Sequence, residues 1–347
     1  MTVLANVPAN VPATVPATMR AMTVEATGGD FVLKKLPVPA PQAGQVLVRI
    51  VASGVNPLDT KIRAGQAAHA QQPLPAVLGL DLAGVVVAVG TGVSTFRPGD
   101  EVYGAAGGVG GLQGTLAEYA AVDARLVALK PQNLTMREAA ALPLVAITAW
   151  EGLVDRANVA QGDKVLVHGG AGGVGHIAVQ LARARGAQVF TTVAQEQFAI
   201  AERFGAVPID YRSSTIEDYV ARHTGGAGFD VVFDTVGGAT LDASFSAARH
   251  YGGHVLSILG WGSHKLAPLS FRSATYSGVF TLYPMISGQG REHHGDILRE
   301  AAKLVEAGRL MPLLDSQRFD LGSALAAHQR VESGVAHGKV VVDIAAG

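Results

Sequence analysis

The stretch "KVLVHGGAGGVGHIAVQLARARGAQV", residues 164–189, carries the pattern that decides the fold of this chain. A short apolar run is followed by glycine-rich residues and then by a helix with its apolar side chains on one face. Gly170, Gly172 and Gly175 satisfy G-x-G-x-x-G between a strand and a helix, where backbone N–H groups and the helix dipole hold a pyrophosphate. The alternative is a glycine-rich turn that only packs the helix closely. The complete strand, turn and helix favour a dinucleotide cradle formed by Gly170, Ala171, Gly172, Gly173, Val174 and Gly175.

Regular alternation extends outward from this cradle. Between residues 145 and 282, apolar strand patterns alternate with helical patterns, which predicts an α/β domain with a doubly wound parallel sheet, the Rossmann arrangement. Residues 19–144 show short β-like runs between Gly- and Pro-rich turns. Residues 283–347 resemble that first part, so we expect the chain to return there. The repeated VPA of residues 1–18, with proline at every fourth position, is typical of a flexible tail.

Composition argues against several classes of function. The chain has 27 basic and 28 acidic side chains among 347 residues, without a dense lysine or arginine cluster along the sequence. We therefore expect no nucleic-acid or membrane partner. The absence of cysteine removes disulfides, thiolate nucleophiles and cysteine-ligated zinc. No apolar run is long enough to span a membrane and no signal-peptide pattern is found, so we expect a cytoplasmic protein.

The second strand of the alternating region ends in TTVAQ, the position that meets the adenosine ribose in dinucleotide sites. No acidic residue there is aimed at the 2′-hydroxyl to select NAD, and Val193 leaves room for a 2′-phosphate. Tyr211 and Arg212 follow the next strand and are placed to reach that phosphate, Arg212 through a bidentate contact. The alternative for Arg212 is a solvated surface charge. The pattern favours NADPH and leaves NADH possible.

Several segments together resemble the medium-chain dehydrogenase/reductase superfamily, and within it the zinc-free quinone oxidoreductase branch that includes zeta-crystallin. Besides the cradle they are SGVNPLDTKIRAG (53–65), LGLDLAGVVVAVGTGVSTFRPGDEVYG (78–104), AALPLVAITAWEGL (140–153), FGAVPIDY (204–211) and GKVVVDI (338–344). The resemblance implies a GroES-like β-rich catalytic domain interrupted by the Rossmann domain. It also implies an NAD(P)H-dependent reductase of a small apolar quinone or α,β-unsaturated carbonyl.

Zinc-dependent members of this superfamily carry a cysteine in the early loop, a His-Glu pair and a second cysteine. This chain has Asn56, Leu80-Asp81 and Leu144 at those places. These residues cannot form that zinc site, so the resemblance implies hydride transfer without a metal. A conjugated acceptor spreads the charge that develops on its oxygen, and hydrogen bonds then replace a Lewis acid.

The resemblance assigns three residues to the reacting groups. Asn56 lines the active site and donates from its amide, Asp59 fixes the loop, and Thr148 lies near the cofactor. The alternatives are an Asx-turn at Asn56 before Pro57 and an ordinary buried threonine at Thr148. Relatives often carry a tyrosine in or after the early loop, but this chain has none between that loop and Tyr103. The proton donor is therefore left open, with solvent as the economical source.

At the far side of the cofactor, the resemblance places Leu259, Gly260, Phe280 and Leu282 against the carboxamide. An open edge strand near Phe280 predicts a homodimer, because relatives cover that edge with a second subunit. Two other functions stay open. One is a redox-sensing, cofactor-binding protein with little catalysis, which the missing tyrosine favours. The other is a trans-2-enoyl thioester reductase, which needs a cationic patch for a carrier phosphate that the sequence does not show.

Overall fold

The structure, a computed structural model, describes residues 15–345. Residues 1–14, most of the predicted flexible tail, lie outside the described residues, so the tail stays a prediction. The described chain divides into two compact units. The first comprises residues 15–144, 282–306 and 312–345, and the second comprises residues 145–281 and 307–311.

The first unit is built mainly of antiparallel strands. In chain order its leading elements are β1 (Thr18–Val24), β2 (Phe31–Pro37), β3 (Gln45–Val55), α1 (Pro57–Arg63), β4 (Ala76–Val77), β5 (Asp81–Val89), β6 (Glu101–Ala105), β7 (Tyr119–Asp123), β8 (Val127–Leu129) and α2 (Met136–Ala140). Three strands form a small sheet in the order β2-β1-β4. The long apolar strand β3 is the centre of a second sheet, where it pairs with β5 and β7. Thr135 begins α2 with a capping box, since its backbone N–H donates to Glu138 at 2.8 Å.

The second unit contains the alternating elements that the sequence predicts. They are α3 (Pro143–Trp150), which starts in the preceding unit, then β9 (Lys164–His168), α4 (Gly173–Ala184), β10 (Gln188–Val193), α5 (Phe198–Arg203), β11 (Val207–Asp210), α6 (Ile216–Thr224), β12 (Val231–Asp234), α7 (Ala239–Ala247), β13 (His254–Ser257), α8 (Ala267–Phe271) and β14 (Thr275–Gly278). All strands are parallel, in the order β11-β10-β9-β12-β13-β14. This is the doubly wound order, which reverses at β9 and β12, and it confirms the predicted Rossmann fold. Ligands of such sheets bind beyond the carboxyl ends of the strands at that reversal.

Large apolar side chains fix the helices onto this sheet. Leu166, Phe190 and Phe229 lie in one buried cluster with Val232 and Phe245. The rings of Phe190 and Phe229 lie 5.5 Å apart at 60°. Each such side chain contributes about 1.5–3 kcal/mol on burial. The cluster gives the strands a rigid base from which their carboxyl-end loops project.

The chain then completes the first unit. The closing elements are α9 (Tyr283–Ser287), α10 (Arg291–Glu306), β15 (Phe319–Asp320), α11 (Ala324–Glu332) and β16 (Val340–Asp343). The last strand pairs antiparallel with β3, so the second sheet runs β15-β16-β3-β5-β6-β8. Tyr103 on β6 donates to the carbonyl of Leu298 on α10 at 2.6 Å. Within residues 15–345, no helix combines the length and the apolar character needed to cross a bilayer.

Candidate functional site

The glycine-rich turn between β9 and α4 is fixed by two glycines that the fold itself requires. A Cβ on Gly170 would lie 2.1 Å from Thr191 Oγ1, and a Cβ on Gly175 would lie 2.1 Å from the carbonyl oxygen of Gly169. Gly169 has a φ of +74°, which glycine adopts without strain. These contacts hold the turn close to the sheet and leave no room for a side chain beneath it.

Gly172 differs from the other two glycines of the motif. A Cβ there would meet only the Gly169 carbonyl oxygen, at 3.1 Å, with no other heavy atom within 4 Å. Space therefore lies above the backbone at the point where α4 begins. The first N–H groups of a helix have no intrahelical acceptor and carry its positive dipole end. A pyrophosphate fits this arrangement, and a side chain at Gly172 would fill its place.

Thr191 on β10 locks this turn, and sequence reasoning missed it. Its hydroxyl accepts from the Gly170 N–H at 2.9 Å and donates to the Val167 carbonyl at 2.6 Å. The side chain is fully buried. A polar β-branched residue in a buried strand beside a glycine turn was the only sequence signal for it.

Asp234 organises the loop that follows β12. Its carboxylate accepts from the backbone N–H groups of Val236 (3.0 Å) and Gly237 (2.9 Å) and from the Ser257 hydroxyl (2.8 Å). Ser257 Oγ in turn accepts from the N–H of Leu259 at 3.1 Å. Sequence reasoning missed this buried acid, which joins the carboxyl ends of the neighbouring strands β12 and β13.

His168, at the end of β9, is buried beside this network. Its Nδ1 lies 2.8 Å from Thr192 Oγ1, and its Nε2 has no hydrogen-bond partner. Burial lowers the pKa of His168 to about 4, against a smaller opposing effect of the Asp234 charge. The imidazole is therefore neutral at physiological pH, and it supplies polarity without charge beneath the cradle.

At the end of β10, the residues predicted to meet the ribose divide into a buried and an exposed set. Val193 is buried, whereas Tyr211 and Arg212 are exposed. Arg212 Nη1 donates to both carboxylate oxygens of Glu196, at 2.9 and 3.2 Å. Arg212 is therefore engaged in a surface ion pair, and an acidic side chain lies beside it at the end of β10. The sequence predicted no acidic residue aimed at the ribose here, and it did not reveal the pairing of Glu196 with Arg212.

The residues predicted to meet the carboxamide lie in both units. In the second unit a Cβ on Gly260 would lie 2.2 Å from the Tyr276 hydroxyl, so the tyrosine would have to shift to accommodate a side chain there. Phe280 packs edge-on against Trp261, with ring centroids 6.3 Å apart. Leu282 is buried in the first unit. Their contact with a cofactor stays a prediction.

In the first unit, Asn56 lies at the N-cap of α1 in a buried polar cluster. Its Nδ2 donates to Asp81 Oδ2 at 2.9 Å, and its Oδ1 accepts from Lys339. Its backbone N–H donates to Asp59 Oδ2 at 2.8 Å. Asp59 thus contacts the backbone at the start of α1, and its role in the site stays a prediction. The Asn56 amide is ordered by two charged neighbours.

Lys339 is the residue of this cluster that sequence reasoning missed. It is 4% exposed, and its ammonium donates to the Val55 carbonyl at 3.2 Å and lies 3.8 Å from Asp81 Oδ2. Burial lowers the pKa of Lys339 and raises that of Asp81, while their mutual attraction opposes both shifts. The available sequence signal was a lysine directly before the apolar strand β16, since lysine is rarely buried without a partner.

Asp59 has an unusual protonation state. Burial raises its pKa to about 7, with a further contribution from the Asp81 charge. Its Oδ1 is buried and has no hydrogen-bond partner. Near neutral pH the carboxyl is therefore partly protonated, and the cluster carries less than its full negative charge.

The positions that correspond to zinc ligands in the zinc-dependent relatives converge on Asp81. The Leu144 N–H donates to Asp81 Oδ1 at 2.9 Å, opposite the bond from Asn56. Leu80 is a buried apolar side chain. The described part of the chain contains no grouping of three or more His, Asp or Glu side chains that could hold a metal ion. These residues do not fit a metal, and a lysine–aspartate pair lies among them instead.

Thr148, the third predicted catalytic residue, lies on α3 in the second unit and is buried. Its burial agrees with both interpretations of it, a cofactor-proximal hydroxyl and a helical core residue.

Two protein-family descriptions match the chain. Residues 42–132 match the alcohol dehydrogenase GroES-like domain, and residues 204–342 match a family described as zinc-binding dehydrogenase. The human quinone oxidoreductase is 32% identical over 336 residues, which cover 93% of this chain and 97% of that protein. The chloroplastic NADPH-dependent alkenal/one oxidoreductase of Arabidopsis thaliana is 36% identical over 335 residues, which cover 93% of this chain and 79% of that protein.

A solved structure agrees with these relatives. An alcohol dehydrogenase superfamily protein from Novosphingobium aromaticivorans superposes with a TM-score of 0.93 at 57% identity. The superposition covers 94% of this chain and all of that one. The fold, the family descriptions and the relatives therefore all indicate the same protein family.

Proposed function

The chain belongs to the medium-chain dehydrogenase/reductase superfamily, in its quinone oxidoreductase branch, and we propose from this that it transfers hydride from NADPH to a small quinone or α,β-unsaturated carbonyl without zinc. The observation that carries the proposal is the glycine turn, in which Gly170 and Gly175 are fixed by the fold while the backbone at Gly172 faces open space. A nicotinamide dinucleotide, when bound, supplies the hydride.

We assign the pyrophosphate to the turn formed by Gly170, Ala171, Gly172, Gly173, Val174 and Gly175. The ribose end is assigned to Val193, Tyr211 and Arg212, and the carboxamide to Leu259, Gly260, Phe280 and Leu282. NADPH is favoured because Arg212 is a cation that a 2′-phosphate attracts. The preference is modest, because Glu196 already engages the guanidinium and repels a phosphate.

In the first unit we assign Asn56 to the acceptor oxygen. An amide carries two N–H donors, and the bond to Asp81 uses one of them. Asp59 and Lys339 hold the backbone and the amide oxygen of this residue, so the remaining donor is oriented in advance. Thr148 is assigned to the cofactor side of the reaction.

Absence of zinc is part of the proposal. The support is the chemistry of the corresponding positions. An amide and two leucines replace the two cysteines and the histidine, and the aspartate that replaces the glutamate lies beside the Lys339 ammonium. Metal analysis of the purified protein is expected to find well under one zinc per chain, and chelators are expected to leave the rate unchanged. Stoichiometric zinc that is required for turnover contradicts this part of the proposal.

The decisive experiment follows NADPH and NADH oxidation against quinones, cyclic and linear enones, enoyl thioesters and saturated ketones. Turnover with quinones or enones and none with saturated ketones is the expected result. Tight NADPH binding without turnover on any acceptor favours the redox-sensing alternative. Turnover confined to enoyl thioesters favours the thioester reductase.

Thr148→Val keeps the shape of the side chain, so a lower kcat with unchanged NADPH affinity is expected if its hydroxyl acts near the cofactor.

A homodimer and a cytoplasmic location complete the proposal. The strand β14 lies at the end of the second unit's sheet with one edge unpaired among the described strands, and a second subunit would cover that edge. Sedimentation equilibrium is expected to give twice the chain mass, and a monomer mass independent of concentration contradicts the dimer. Fractionation of the source cells tests the location.

A further inference from the structure

Three arginines far apart in sequence meet in one surface pocket of the second unit. Arg183 lies in the last turn of α4, Arg203 ends α5, and Arg309 lies in the short segment 307–311. The pocket is open to solvent and has a volume of about 440 Å³. Its lining residues are Gln180, Arg183, Ala184, Arg203, Phe204, Gly308, Arg309 and Met311. The lining therefore includes three cations and no acid.

The positive charges of the three guanidiniums are not neutralised by a neighbouring carboxylate among the described residues. Across residues 15–345, no carboxylate forms an ion pair with any of them. Arg183 donates to the Phe204 carbonyl at 3.3 Å, Arg309 donates to the Ala184 carbonyl, and Arg203 contacts the Met311 sulfur at 3.4 Å. Since a guanidinium has several N–H donors in a planar fork, each retains donors for a ligand.

The segment that contributes Arg309 is fixed onto α4. Gln180 donates to the Met311 carbonyl at 2.9 Å and accepts from the Met311 N–H at 2.9 Å. On the other side, a Cβ on Gly205 would lie 2.1 Å from Arg183 Nη1, so the turn after α5 packs directly on that guanidinium. The backbone that carries Arg309 is therefore held on α4, while the three arginine side chains themselves are exposed. A fixed backbone lowers the entropy cost of binding a ligand.

A simpler interpretation is that these arginines only cap helix ends. Arginine near a helix C-terminus is favourable, and two of the three donate to carbonyls at the ends of α4 and α5. That interpretation accounts for Arg183 and Arg309 but leaves Arg203 on a thioether, a weak acceptor. It also leaves the repulsion among three like charges in one pocket without compensation.

We propose that this pocket binds a compound with a diphosphate or longer phosphate chain. Planar guanidinium forks match phosphate oxygens in bidentate pairs, and several cations suit several phosphate charges. The volume lies within the range of about 300–1,000 Å³ of small-molecule sites, larger than a single ion requires. The site is separate from the cofactor cradle, because Arg183 and the cradle lie at opposite ends of α4, roughly 17 Å apart along the helix.

Calorimetric titration of the NADPH-saturated protein with inorganic pyrophosphate tests this site, because bound NADPH blocks the cradle. Saturable binding that weakens as NaCl rises from about 50 to about 500 mM is expected. Each of Arg183→Gln, Arg203→Gln and Arg309→Gln is expected to weaken binding about tenfold or more. The matched control Arg222→Gln removes an exposed arginine elsewhere in the unit and is expected to have no effect.

The proposal is overturned if pyrophosphate does not bind saturably, or if all three variants bind it as tightly as the wild type. The arginines are then only helix caps. Because a cap mutation can also lower stability, thermal midpoints are measured with and without pyrophosphate. A ligand of the native state raises the wild-type midpoint, and the variants are expected to lose that rise whatever their starting stability. If a glutamine variant does not fold, the corresponding lysine variant, which keeps the charge but loses the fork, is titrated instead and is expected to bind more weakly. If the protein does not bind NADPH, the same titration is made on the protein alone, and the losses in the three arginine variants still assign the binding to this pocket.

Discussion

Replacing Lys339 by methionine tests the buried cluster of the first unit most directly. The ammonium is 4% exposed and Asp81 is fully buried, so the substitution leaves a buried carboxylate with two neutral donors and no cation. Removing one partner of a buried ion pair costs about 3–5 kcal/mol. For a unit of this size such a loss lowers the thermal midpoint by roughly 6–20 °C.

The assay is calorimetric and urea-induced unfolding of four proteins: wild type, Lys339→Met, Asp81→Asn and the double variant. The double variant is expected to recover a large part of the loss, because neither charge then remains buried alone. Lys303→Met is the matched control, since Lys303 pairs with Glu300 on the surface of α10 and should change stability by about 1 kcal/mol or less. If Lys339→Met costs no more than Lys303→Met, or the two single losses simply add, the cluster is not a coupled buried pair.

The remaining predictions concern the cofactor turn, the ribose end and pH. Gly172→Val should leave the unfolding midpoint nearly unchanged and abolish cofactor quenching of tryptophan fluorescence. Gly175→Ala should instead lower the unfolding midpoint, because its Cβ would lie 2.1 Å from a backbone oxygen. The reverse pattern contradicts the assignment of the pyrophosphate to this turn. Arg212→Ala should weaken NADPH binding by about 1–3 kcal/mol and leave NADH binding unchanged. Glu196→Gln should strengthen NADPH binding. Equal effects on both cofactors would show that the Arg212–Glu196 pair is structural. Asp59 has a pKa raised to about 7, above its unfolded value. Its contribution to the free energy of unfolding is therefore complete below about pH 4 and is lost as pH rises through 7. The free energy of urea unfolding of Asp59→Asn should lack that decline, and parallel pH profiles of the variant and the wild type would refute the assignment.

Local patterns were sufficient for the second unit because its elements follow one another along the chain. The apolar strand patterns and the glycine spacing predicted the parallel sheet and the turn at Gly170–Gly175. The features that were missed depend on partners distant in sequence. Lys339 meets Val55 and Asn56 across more than 280 residues, and Arg212 meets Glu196 across a strand and a helix. No local pattern specifies such pairs, since they depend on how strands β3 and β16, or β10 and β11, lie beside each other.

The position of β16 also has a consequence for synthesis of the protein. A ribosome releases β3 early, but residues 52–55 of that strand lack their partner on one side until residues 340–343 have been made. The parallel sheet of residues 164–278 is complete in the nascent chain well before that point. During translation the second unit can therefore fold before the first unit is complete. Until then residues 52–55 of β3 expose unpaired backbone groups, and such groups favour aggregation. A premature stop before Val340 would remove a strand from inside the sheet, and residues 52–55 of β3 would then stay without a partner on that side.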